Sequence, residues 1–185
     1  MTKTYDGGLT YNTQAADLST LTNQLISGDS VSAATISYTD KNAASGTKVV
    51  TLDAVTLSDN NNGGNYTVTL AGNSTSTITR KNLTAAYTAS NKVYDGTTAA
   101  TVVGASSDIV TNDIVTFANT SATFDSKNVG TGKAVDISGI NIGGTDAGNY
   151  ALQNTTASTT ANVTKKDASI TGTATNVTYL SLIHI

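Results

Sequence analysis

Residues 48–57 read KVVTLDAVTL and residues 133–142 read KAVDISGINI. In the first, Val50 and Leu52 alternate with polar residues, then Val55 and Leu57 alternate in the opposite phase; Val135, Ile137, Ile140 and Ile142 repeat this 85 residues on. Side chains of a strand face opposite sides with period 2. One inserted residue is therefore the mark of a β-bulge, or of a strand crossing from one sheet to another. A broken alternation that occurs twice points to β structure built from repeats.

Working outward, the repeat holds in order. Tyr5-Asp6-Gly7 matches Tyr94-Asp95-Gly96, Lys41-Asn42 matches Lys127-Asn128, and Gly64-Asn65-Tyr66 matches Gly148-Asn149-Tyr150. The ITRK of 78–81 matches the VTKK of 163–166. Small changes of spacing between matches behave as loop-length changes between fixed strands. Tyr66, Val68 and Leu70 spell a further alternating strand, with Tyr150 and Leu152 as its copy. DNNNGG (59–64) and GGTDAG (143–148) precede them, with Asn, Asp and Gly suited to the positive φ of tight turns. The segments 18–31 and 104–115 are the least strand-like, and each has room for a single capped helical turn.

Composition agrees. Charged residues make up 12% of the 185, and every acid is an aspartate, so the Glu-, Lys- and Leu-rich faces of long helices are missing. Abundant threonine and valine suit a pleated sheet. The expected fold is all-β: tandem small β-sandwich or β-grasp-like repeat domains with at most a short helical turn per repeat. The expected domains are repeat 1 at 1–81 without its first strand, a complete repeat 2 at 82–166, and the first strand of a third at 167–179. Repeat 1 is then expected to present an unpaired edge. The segment 167–179 is expected to be the least buried strand-like stretch, or to pair with repeat 1 of another chain. Residues 180–185, LSLIHI, break the composition and look like translated sequencing adaptor, hence a non-native tail; a genuine apolar strand is the alternative.

The ordered set KVYDGTT (92–98), ATFDSKNVGTGKAVDISGINIGGTDAGNYAL (122–152) and TANVTKK (160–166) resembles the YDG repeats of large exported bacterial adhesins, similar to filamentous haemagglutinin exported by two-partner secretion. Repeat 1 departs from the family pattern at DNNNGGNY. The resemblance implies a secreted or outer-membrane-associated cell-surface protein with such domains in tandem. It implies no catalytic residues. The N-terminus MTKTYDGG carries no signal peptide.

Most chemistry is disfavoured by residue type. There is no cysteine, the one histidine is His184 in the suspect tail, and glutamate is absent, so an enzyme is not expected. Ser45-Gly46-Thr47-Lys48 satisfies S-x-x-K, but Gly130 stands at the serine position of the second copy. Gly130-Thr131-Gly132-Lys133 lacks the first glycine and the hydroxyl of a phosphate loop. Both read as turns. Asp59 and Asn61 begin a calcium-like loop that lacks its closing carboxylate at Leu70, so an Asx turn competes with a loose Ca²⁺ site. Tyr5, Tyr66, Tyr94 and Tyr150 recur at matched positions, which favours packing within each unit over an aromatic sugar platform. Tyr5, Asp6, Gly7, Tyr94, Asp95, Gly96, Asn65, Tyr66, Asn149 and Tyr150 are therefore taken as structural repeat markers. No cofactor is expected. A net charge of −3 disfavours nucleic acid and anionic membrane, and no apolar run is long enough to insert in a bilayer. The expected partners are neighbouring repeats, a host or cell-surface glycan or protein, or a second copy. The expected role is a stalk that spaces a binding region from the cell, with a glycan-binding or self-associating module as the alternative.

Overall fold

The computed structural model describes residues 1–173. The first repeat contains β1 (Thr2–Thr4), β2 (Thr10–Tyr11), α1 (Ala15–Thr22), β3 (Ser30–Tyr38), β4 (Ala44–Ser58) and β5 (Asn73–Thr79). The second contains β6 (Lys81–Leu83), β7 (Ala86–Ala89), β8 (Lys92–Val93), β9 (Val102–Ala105), β10 (Thr116–Ala118), β11 (Ser121–Phe124), β12 (Gly130–Ser138), β13 (Asn141–Gly143), β14 (Tyr150–Leu152) and β15 (Thr156–Thr164). The fold is all-β, with one short α-helix and a 3₁₀ turn at Ala147–Asn149 among the described residues.

Each repeat is organised on its own sheet, and the two sheets share one layout. In the first the order is β1-β5-β4-β3-β2; in the second it is β8-β15-β12-β11, with a bridge from Ala99 to Thr123 in the place of β2. The chain enters each sheet parallel to the last strand, β1 beside β5 and β8 beside β15, while the central pairs are antiparallel.

The inserted residue of the opening sequences has two outcomes. In β4 it is a bulge: Thr35 pairs with Ala54 and Ile36 with Leu52, leaving Asp53 unmatched. In the second repeat the strand breaks, β12 staying in the main sheet while β13 pairs with β10. Gly139, where the first repeat has Ala54, explains the difference. Its φ is +67°, and a β-carbon there would lie 2.2 Å from the Thr120 hydroxyl. Alanine resists that conformation, so β4 runs on.

A second difference follows from the opening strand. In the second repeat β6 pairs with β14 in parallel and β7 with β9 antiparallel, and Ala85 and Tyr87 are buried with Val135, Ile137 and Ile140. No described segment plays this part for the first repeat. Residues 66–70, which alternate like a strand, accordingly form none, because isolated backbone has no ladder to join. The stretch matching β9 becomes the start of α1, whose Asp17 carboxylate accepts the Gln14 amide at 2.9 Å. The helix starts three residues before 18–31 and runs about two turns, while 104–115 forms the end of β9 and turns instead of a helix. Residues 167–173 are exposed and outside any strand; the rest of the 167–179 segment and the tail 180–185 lie outside the described residues.

Two buried clusters hold the molecule. One belongs to the second repeat and includes Phe124, Val135, Ile137 and Val163. The other joins Tyr5, Ile36, Tyr38, Val50 and Ile78 of the first repeat to Leu83 and Tyr150 of the second. A fully buried side chain of this size contributes about 1.5–3 kcal/mol, so the shared cluster ties the repeats together.

Candidate functional site at the junction of the repeats

The Tyr-Asp-Gly turn is built the same way twice. The Asp6 carboxylate accepts the Gly8 amide at 2.9 Å and the Lys3 ammonium at 2.7 Å; Lys3 also donates to the carbonyls of Gly8 and Thr10. Asp95 accepts the Thr97 amide and Lys92, both at 2.9 Å, and Lys92 donates to the carbonyls of Thr97 and Ala99. Gly7 and Gly96 take φ of +81° and +82°, which glycine adopts without steric cost. Burial pushes the Asp6 carboxyl up, but Lys3 and the Gly8 amide outweigh it and hold the group below the usual range. Lys92, helped by Thr97, does the same to Asp95. The turn is anchored to the sheet end, with the Tyr5 amide donating to Thr79 O at 2.9 Å and the Tyr94 amide to Thr164 O at 2.8 Å.

The two turns differ in what they meet. Tyr5 is buried against the second repeat, its ring edge to face with Tyr150 at 5.6 Å between centroids. Both hydroxyls donate to Asp113, Tyr5 at 2.8 Å and Tyr150 at 2.5 Å, and the Val110 amide donates to the Tyr150 hydroxyl at 2.8 Å. The Lys41 ammonium stands 3.8 Å from the same carboxylate, whose side chain is only 3% exposed. A β-carbon on Gly7 would lie 2.8 Å from Val110. Beside it Asn149, also buried, accepts the Ala43 amide at 2.9 Å and donates to the Asn42 side chain at 3.2 Å. Among the described residues the second turn meets nothing comparable: Tyr94 is half-buried against its own core, and the space around Gly96 is open.

Burial, then the hydrogen bond to Asp113, pushes the Tyr150 phenol up to about 12 and the Tyr5 phenol still higher. At ordinary pH both phenols are therefore neutral and donate to the Asp113 carboxylate.

The remaining candidates take structural positions. The Asp59 carboxylate accepts the amides of Gly63, Asn61 and Asn65 at 2.8, 3.0 and 3.2 Å, which hold it below the usual range; the Asn61 side chain donates to Asn65. This is an Asx-type turn with positive φ at Asn60 and Asn62. Among the described residues no three His, Cys, Asp or Glu side chains gather as metal ligands. The lysines of the two abandoned motifs form matched salt bridges, Lys48 with Asp40 and Lys133 with Asp125.

Sequence reasoning missed Asp113 and its counterpart Asp29. Asp29 accepts the Tyr66 hydroxyl at 2.6 Å, as Asp113 accepts that of Tyr150. Both aspartates lie 37 residues before their tyrosines, a recurrence that marks them.

A family comparison matches a YDG domain over residues 1–77 and again over 79–161. The chain belongs to the YDG domain family. Its two YDG domains meet at the clamp just described, which the first domain's Tyr-Asp-Gly turn enters. No curated protein and no solved structure matches the chain.

Proposed function

We propose that this pair of YDG domains is part of the repeat region of an exported bacterial surface adhesin and spaces a binding region from the cell. The observation that carries this reading is the buried Tyr5–Asp113–Tyr150 clamp, which fixes one domain against the next. A spacer needs defined geometry between units. A flexible linker gives reach that grows only as the square root of its length, whereas docked repeats add length in proportion to their number. The Thr-, Ser- and Asn-rich exposed faces supply solubility with little charge. Strands of this length suggest roughly 20–25 Å of reach per layer.

Small-angle scattering on arrays of two, four and six domains tests this. A maximum dimension that grows linearly supports the spacer; a compact profile, or reproducible glycan binding by the isolated pair, favours a recognition module instead.

A further inference from the structure

The junction has two sides, and each has a duplicate that no described residue occupies. On the receiving side, Val110, Asp113, Asn149 and Tyr150 of the second domain correspond to Ile26, Asp29, Asn65 and Tyr66 of the first. The preorganising bonds are the same: the Tyr66 hydroxyl donates to Asp29 at 2.6 Å and accepts the Ile26 amide at 3.1 Å. Exposure differs in the direction expected of an uncovered interface. Ile26 is 74% exposed and Asn65 is exposed, whereas Val110 is half-buried and Asn149 is buried. On the entering side, Tyr5, Gly7, Asn42 and Ala43 correspond to Tyr94, Gly96, Asn128 and Val129. Gly96 faces open space, and Val129 is 47% exposed where Ala43 packs into the shared cluster.

We propose that a second copy of this chain docks head to tail, seating its Tyr94-Asp95-Gly96 turn and Val129 on the Ile26, Asp29 and Tyr66 face of the first domain. This goes beyond the spacer reading and does not depend on it. The occupant is chosen by the junction inside the chain, where the same side chains meet in the same roles.

A second contact accompanies the first. Residues that follow β5 supply β6, which pairs with β14. In the first domain the counterpart of β14, residues 66–68, is unpaired among the described residues and lies beside an open cavity of about 200 Å³ lined by Leu52, Val55, Leu57, Val68 and the helix-side Leu21 and Leu25. Ile137 and Ile140, matching Leu52 and Val55, are buried under the opening strand. Residues 165–173 leave β15 beside the Tyr94 turn, as 80–88 leave β5 beside Tyr5. Ile170 is 92% exposed at the position where Ala85 is buried. Docking of the turn thus brings the exposed segment 165–173, with Ile170 uncovered, to an unfilled apolar groove.

The interface is heterologous: the two faces differ, and occupying one leaves the other free, so association continues past the dimer unless a ring closes. Within the chain the contact benefits from a high effective concentration that separate copies lack.

Sedimentation velocity on the full chain, from dilute solution to on the order of 1 mM, tests the proposal with Ile26→Glu, which disables one face, and Val129→Glu, which disables the other. Both positions are exposed, so folding is retained and is verified by circular dichroism. Expected are reversible oligomers for the unaltered chain and association weakened more than about tenfold in either variant. An equal mixture of the two variants recovers association that stops at the dimer. An unaltered chain that stays monomeric throughout, or a dimer indifferent to both substitutions, overturns it.

Discussion

Tyr5 and Tyr150, 145 positions apart in the sequence and in different domains, donate their hydroxyls to the same Asp113 oxygen, at 2.8 and 2.5 Å. The Tyr-Asp-Gly turn thereby acquires two jobs: its Asp and Gly shape the entry to its own sheet, and its Tyr fastens that sheet to the next.

Tyr5→Phe keeps the ring and removes one donor to a buried carboxylate. A hydrogen bond to a charged group contributes about 1.5–3 kcal/mol, so urea denaturation is expected to show a loss of that order. Tyr94→Phe, on the unoccupied duplicate, is expected to change stability by less than about 0.5 kcal/mol.

Gly7→Ala and Gly96→Ala form a matched pair. Both impose the same left-handed strain, about 1–2 kcal/mol for a non-glycine residue. Only Gly7 has Val110 within 2.8 Å of the added carbon. The Gly7 variant is therefore expected to be the less stable by a further ~1–3 kcal/mol, the cost of overpacking. Equal losses in the two melting curves contradict the docking of this turn.

Alkaline pH is expected to open the clamp. Phenols of the unfolded chain ionise near 10, whereas burial and the bond to Asp113 raise Tyr150 to about 12 and Tyr5 further. Raised folded values mean that the stabilisation is complete below about pH 10 and is lost as pH climbs toward and through 12. Tyrosinate absorbance and circular dichroism followed together are expected to show ionisation of these two rings coinciding with unfolding. Early ionisation with the fold intact contradicts their burial.

The sheets were legible in the sequence because strand alternation is local. The broken phase of KVVTLDAVTL and KAVDISGINI marked a bulge or a sheet crossing, and both occur. The turn chemistry of Asn60, Asn62 and Gly144 was legible for the same reason. What escaped depends on partners distant in sequence. Tyr66, Val68 and Leu70 alternate properly yet form no strand, since pairing needs a neighbour that, among the described residues, only the second domain has. Asp113 is one aspartate in a turn-rich loop until two hydroxyls 108 and 37 residues away converge on it.

The bulge-or-crossing choice is expected to rest on one position. Gly139→Ala places a methyl against Thr120 at positive φ and is expected to cost several kcal/mol, of the order seen when overpacking and backbone strain combine. Ala54→Gly in the first domain loses only about 0.5–1 kcal/mol, the entropic cost of glycine within a strand. Thermal unfolding of the two variants distinguishes these outcomes.

The two YDG domains are docked through Tyr5, Asp113 and Tyr150. Residual dipolar couplings of backbone amides, measured separately for residues 2–79 and 81–164, test it most directly. One alignment tensor fitting both sets at once is the expected result, with the fit failing in Asp113→Ala. Two distinct tensors in the unaltered chain, reporting domains that reorient independently, contradict it.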